Sequence, residues 1–341
     1  MFLALRDIAY ARGRFALMTG VVALITLLLV MLSGLTGGLG KQNTSALEAL
    51  NPDGVIFSSE EPSFTESSFD ESDLADYTDV TPLGAGQTRL ETQDETAAGV
   101  AVFGLPAGTK VSEVNLTVPE EGLAASQEIL DETGISVGDT VALGGQEFPI
   151  TDVVDTSFYS HSPVLWASTE TWNQVAHAGE GVVGTVLMTK NPEAPGNEEA
   201  VSLKESFKGL ASYSSEQGSL VTMQGFLYAI SALVTVAFLT VWTIQRTRDL
   251  SILRALGAAG RYLLKDALGQ AAVILAVGVG TGAFVGWLLG LLASQALPFE
   301  LSVSTILIPA AGIWILGILG ALLATRKVSK TDPMLALGGN A

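Results

Sequence analysis

The 341-residue chain has no cysteine, only two histidines, and little charge, with Asp, Glu, Lys and Arg together making 15%. Without cysteine there is no disulfide framework and no thiolate metal site. His161 and His177 do not form a His-Glu-x-x-His zinc helix, and no Gly-x-Ser-x-Gly nucleophile elbow occurs. Also missing is the Gly-x4-Gly-Lys-Ser/Thr loop that cradles phosphates, so the chain is not expected to hydrolyse ATP alone. The Ser, Thr and acid-rich stretch 60–79 lacks the Asp-x-Asp-x-Asp-Gly spacing of a calcium loop, and it reads as a solvated loop.

What charge there is lies unevenly. Residues 41–216 hold 30 acids against six bases, whereas the rest of the chain holds five acids and 11 bases. A block that acidic repels phosphate backbones, which argues against nucleic-acid binding. Four runs outside it are free of charge: 15–40, 217–245, 267–298 and 301–325. Crossing a bilayer takes roughly 20 apolar residues, so each run is long enough. The mean hydropathy of +0.43 agrees. The first run follows Arg12 and Arg14 as a signal peptide would, but it is too long and lacks a clear cleavage site, so it reads as an uncleaved span. No acid or base interrupts any of the four apolar cores, which argues against an ion-coupled carrier and against an aqueous pore.

Orientation follows from the bases. Arg6, Arg12 and Arg14 precede the first span, five bases lie at 246–265, and Arg326, Lys327 and Lys330 follow the fourth. The positive-inside bias puts both termini and 246–265 on the cytoplasmic side, with the acidic block outside. The expected fold is a membrane protein of four transmembrane α-helices, with an α+β extracytoplasmic domain inserted between helices 1 and 2. The segments are a cytoplasmic interfacial helix at 1–14, TM1 at 15–40, and the outer domain with stalk helices at 41–216. TM2 follows at 217–245, a cytoplasmic helix at 246–265, TM3 at 267–298, TM4 at 301–325 and a cytoplasmic tail at 326–341.

Within the outer block, short β-branched runs predict strands at 55–57, 99–103, 110–118, 140–143, 148–154, 164–167 and 181–189. Helices are expected at 126–132 and at 197–210. In TM3, Gly278, Gly282, Gly286 and Gly290 repeat every four residues. In lipid such a stripe lets another helix approach closely, since packing drives association there.

The run Arg248-Asp249-Leu250-Ser251-Ile252-Leu253-Arg254-Ala255-Leu256-Gly257-Ala258 resembles the segment after the second span of MacB/FtsX-type (type VII) ABC transporter permeases. In that pattern, Arg-Glu-Ile-Gly-Ile-Leu-Arg-Ala-Leu-Gly-Ala, Asp249 stands for glutamate and Ser251 for glycine. Ala4-Leu5-Arg6-Asp7-Ile8, Gly134-Ile135-Ser136-Val137-Gly138-Asp139-Thr140-Val141 and Asp332-Pro333 before Ala336-Leu337 extend the likeness along the chain. The resemblance implies a non-catalytic permease subunit in the cell membrane, a homodimer served by two copies of a separate ABC ATPase. It implies that Arg248, Asp249, Leu250, Leu253, Arg254, Leu256 and Gly257 form the coupling helix on that ATPase. Movement of the spans would then expel a hydrophobic substrate from the outer leaflet by mechanical transmission.

The stretch 155–166 looks like the Hrt-type haem-efflux branch, which makes haem the expected substrate, with ATP used through the partner and no cofactor held permanently. A haem pocket needs apolar walls and an axial ligand. The candidates are Met31, Phe57, Phe158, Tyr159, His161, Met223 and Tyr228, each with an ordinary reading as a core or belt residue. Two alternatives stay open: an FtsX-like transmembrane regulator of an extracytoplasmic cell-wall hydrolase, and a permease that extrudes lipoproteins or peptide antibiotics.

Overall fold

The computed structural model describes residues 12–94, 96–245 and 260–329. The expected interfacial helix at 1–14 and the helix at 246–265 fall mostly outside them, as does the end of the tail. Four long helices are apolar enough to cross a membrane: α1 (Arg12–Leu50), α5 (Ala211–Gln245), α6 (Gly260–Ala293) and α7 (Val303–Ser329). Three short helices lie between α1 and α5: α2 (Gln127–Thr133), α3 (Thr169–Ala176) and α4 (Leu203–Ser206). The chain divides into two compact units, 39–218 and the remainder, so the boundaries fall inside α1 and α5.

The 39–218 unit carries thirteen strands among the described residues. They are β1 (Gly54–Ile56), β2 (Phe69–Asp70), β3 (Val80–Glu91), β4 (Ala97–Leu105), β5 (Lys110–Val111) and β6 (Leu116–Thr117). Next come β7 (Leu123–Ser126), β8 (Thr140–Leu143), β9 (Gln146–Val154) and β10 (Phe158–Tyr159). The last are β11 (Ser162–Ser168), β12 (Val182–Gly184) and β13 (Val186–Thr189). The main sheet runs β1-β13-β3-β4-β11-β7-β9-β8, and β8 pairs back onto β3. Six strands therefore close a circuit. Closure depends on the length of β3: Val80 to Leu83 pair with β13, and Leu90 and Glu91 pair with β8.

Side-chain alternation gives the circuit two apolar faces. Val100, Val102, Leu165 and Ala167 belong to one core, with Ile129 of α2 and Trp172 of α3 packed into it. Ala101, Phe103, Val164 and Trp166 belong to the other, which also receives Phe57, Phe64 and Tyr159. Trp172 can lie flat on the sheet because Gly84 and Gly104 leave it room; a methyl group at either would overlap the indole.

Several strands depart from expectation. β3 carries Pro82, Gly84 and Gly86, residues that normally interrupt a strand, so the longest strand was not predicted. β7, Leu-Ala-Ala-Ser, is buried throughout and gives no alternation to read. The run 110–118 is two short strands around a 3-10 turn, where Asn115 takes a left-handed conformation at φ +53°. The helix expected at 197–210 is only α4 and one 3-10 turn. Before it, Asn197 is buried and its amide donates to Thr78 and Asn191 carbonyls, while Val201 bridges to Val55. Those side-chain and bridge bonds hold the backbone out of a helix.

In the other unit, the glycine period of α6 faces α1. Gly278 lies against Val22, Gly282 against Ala23 and Thr26, and Gly286 against Val30. Gly290 instead meets Phe299 and Leu301, in the connection to α7. Pro309 sits within the first turns of α7, where few of its hydrogen bonds are lost.

Candidate functional site

β10 and β11 form a hairpin whose two-residue loop is Ser160-His161, with Tyr159 paired to Ser162. Both loop residues have positive φ, +46° and +66°. Asn and Gly favour such a turn, whereas Ser and His adopt it at a cost of about 1–2 kcal/mol per residue. Strain of this kind persists where surrounding bonds over-determine the backbone, and it concentrates at functional positions.

The surrounding bonds come from α1. The Ser160 N–H donates to the Asn43 carbonyl at 3.2 Å, and the His161 N–H to the Gln42 carbonyl at 2.9 Å. The Phe158 N–H donates to Ser45 Oγ at 2.8 Å. From β3, Gln87 Nε2 donates to the Ser160 carbonyl and to Ser162 Oγ, at 3.1 and 2.9 Å. The tip is thus held to a helix whose own ladder leaves these carbonyls a free lone pair.

The His161 ring then enters a polar cluster. Its Nε2 lies 2.7 Å from Glu216 Oε1 on α5. Glu216 Oε2 accepts from Asn43 Nδ2 at 3.1 Å, and that amide also donates to the Leu39 carbonyl at 3.1 Å. Asn43 Oδ1 accepts from Ser212 Oγ at 2.6 Å. A contact this short to a carboxylate places a hydrogen on Nε2. Asn43 is buried at 1% exposure, while the His161 and Glu216 side chains keep 32% and 35%. The histidine is therefore accessible but occupied.

The other sequence-derived candidates sort by burial. Tyr159 is in the core, its ring edge-on to Phe103 and Phe64 at 5.1 and 5.8 Å. Burial pushes its phenol above the ordinary value. Phe57 packs edge-on to Phe64 at 5.1 Å, so both rings serve the outer core in this conformation. Phe158, beside His161, is half-buried. In the other unit Met31 is half-buried, Met223 is exposed, and Tyr228 rests on Gly312 of α7. Arg248, Asp249, Leu250, Leu253, Arg254, Leu256 and Gly257 lie outside the described residues. Gln42, Asn43, Ser212 and Glu216 were not anticipated. The available signal was positional: Glu216 is the last carboxylate before an uncharged run.

Residues 221–333 match the family described as FtsX-like permease C-terminal. The chain carries an FtsX-like permease domain. The match covers α6, α7 and most of α5, and it includes the unassigned 246–259 stretch. Similarity to this permease extends further in full-length relatives. A Staphylococcus haemolyticus protein bearing the name hemin transport system permease protein HrtB is 28% identical, over 99% of both chains. A Staphylococcus epidermidis protein of the same name is 26% identical, again over 99% of both. An uncharacterised ABC transporter permease of Mycobacterium tuberculosis is 22% identical, over 99% of each chain. Among solved structures, the periplasmic region of MacB from Actinobacillus actinomycetemcomitans aligns at a TM-score of 0.32 and 14% identity. It covers 50% of this chain and 83% of that one, too remote a likeness to carry an argument.

Proposed function

We propose that this FtsX-like permease is the membrane subunit of an ABC-type exporter, and that its cargo is haem. The observation that carries the reading is similarity along 99% of the chain to proteins named as hemin transport permeases. The missing phosphate loop supports a separate ATPase subunit, and the family resemblance supports two copies of it serving a homodimer. The 246–265 segment is the surface that the ATPase engages, through Leu253 and Arg254 among others. The protein lies in the cell membrane with both termini in the cytoplasm, and the acidic domain faces outward.

His161 is the residue we assign to haem iron, with Phe158 beside it as an apolar contact of the cargo. An imidazole and a flat apolar surface are chemically suited to a metalloporphyrin. With the hydrogen on Nε2 held by Glu216 at 2.7 Å, the ring's lone pair is on Nδ1, and a carboxylate bonded to the far nitrogen in this way orients an imidazole for ligation.

Absorption spectroscopy of the purified chain with added haem tests the cargo. A saturable Soret shift at equimolar haem, lost in His161→Ala, is expected. A shift that His161→Ala leaves intact removes the ligand assignment. Cells without the subunit should become haem-sensitive, and unchanged haem tolerance would reject haem as the cargo.

A further inference from the structure

The connection from α6 to α7 carries a single charged residue, Glu300, and it lies on α1. The Phe299 ring covers Gly34, and a methyl group at Gly290 of α6 would come within 2.9 Å of the same ring. The Pro298 carbonyl lies against Gly38, and the Glu300 carboxylate against Gly37. The Glu300 N–H donates to the Gly34 carbonyl at 2.9 Å. Gly34, Gly37 and Gly38 follow i, i+3, i+4 spacing and so share one helix face. A side chain at any of them would meet the connection. On its far side, Thr305 Oγ1 donates to the Glu300 carbonyl at 3.2 Å, and the Ser302 hydroxyl accepts from the Thr305 N–H at 3.2 Å. The segment is thereby tied into the start of α7.

Deeper contacts join the same three helices. α6 meets α1 at Gly278, Gly282 and Gly286, and Leu275 of α6 fits over Gly317 of α7 at 2.7 Å from where a methyl would stand. α5 is attached differently. Tyr228 and Val236 rest on Gly312 and Gly320 of α7, and Gln224 Nε2 donates to Thr36 Oγ1 at 3.2 Å. Only 11% of the most apolar window of α5 is buried, against 33–39% for the other three helices. In lipid no hydrophobic term presses helices together, so buried packing and hydrogen bonds set how firmly each is held.

We propose that Pro298-Phe299-Glu300 is a clip that fixes α1, α6 and α7 into one rigid body, against which α5 shifts. Nothing in this depends on the cargo or on an ATPase. The ring of Phe299 is the pin, filling space that two helices vacate with glycine, and the Glu300 amide sets its depth. α5 meets the same body at Gly312 and Gly320 and through Leu227 and Phe238, yet it buries less of its apolar length than the other three helices.

The absence of native cysteine makes spin labelling specific. The full chain in lipid nanodiscs, diluted with unlabelled chain, would carry labels at Leu24→Cys with either Val277→Cys or Leu233→Cys, all exposed positions. Pulsed dipolar spectroscopy is expected to give a narrow distance distribution for the α1–α6 pair and a broader one for the α1–α5 pair. Phe299→Ala, which removes the pin, and Gly34→Leu, which fills its seat from the other side, should each broaden the α1–α6 distribution at least twofold. A distribution that stays narrow in both variants overturns the clip. An α1–α5 distribution as narrow as the α1–α6 one overturns the mobile α5.

Discussion

His161 Nε2 and Glu216 Oε1 stand 2.7 Å apart although 55 residues separate them in the chain. The contact joins a strained hairpin tip to α5, and Asn43 of α1 bonds to the same carboxylate at 3.1 Å. Three elements remote in sequence therefore share one polar cluster.

The partners differ in how much stability they contribute. With both side chains about one-third exposed, the His161–Glu216 pair stabilises by no more than about 0.2–1 kcal/mol. Asn43 is buried with its amide engaged on both sides, and its loss leaves those groups unpaired. Asn43→Ala is expected to lower stability by about 1–3 kcal/mol, and Glu216→Gln by less than 1. Denaturant titration of the full chain in detergent would check the order, which a larger effect for Glu216→Gln would reverse.

Glycines in α6 give a contrast within one helix. A methyl at Gly282 would collide with the Ala23 carbonyl, while one at Gly280 meets nothing within 4 Å. Gly282→Ala should cost about 1–3 kcal/mol as overpacking, and Gly280→Ala should be neutral or slightly stabilising. Thermal inactivation of the two variants side by side separates them; equal midpoints would contradict the α1–α6 packing.

Tyr159 makes a pH prediction. Its phenol is raised by burial, so the native state keeps its proton where the unfolded chain loses it. Stability from this group is whole below the unfolded value, about pH 10, and falls as pH rises beyond it. Lysines titrate in the same range, so the useful quantity is a difference. Tyr159→Phe should lose less stability than the parent between pH 9 and 11, measured by urea titration at each pH.

The proposed docking of 246–265 on an ATPase can be tested by reversing its chemistry. Arg254→Glu and Leu253→Asp are expected to abolish permease-stimulated ATP turnover while the subunit remains folded in the membrane. Full stimulation in both variants would remove the assignment.

The helical part of the fold is plain in the sequence because a bilayer demands long uncharged runs, and the gaps at 217–245 and 301–325 have no other reading. The glycine period of α6 is legible for the same reason, although its partner is not: nothing in α1 marks Val22, Ala23 and Val30 as the surface it meets. The outer domain was harder. β3 breaks every local rule with Pro82, Gly84 and Gly86, and its glycine at 84 makes sense only once Trp172 lies on it. In the site, His161 stood out as one of two histidines, yet Asn43 and Glu216 depend on how α1 and α5 come together. Phe57 and Tyr159 show the limit of composition, since an aromatic suited to a ligand wall is equally suited to a core.

The first and last strands of the outer domain are paired with each other. β1 runs antiparallel to β13, and Gly54 lies opposite Thr189, so the chain arrives and departs at the same end of the pair. Val201 bridges back to Val55 just beyond it. Tension applied where the chain enters and leaves would load those hydrogen bonds one after another, as in opening a zip, rather than all together in shear. The six-strand circuit lies behind that seam and would be loaded only after it opened.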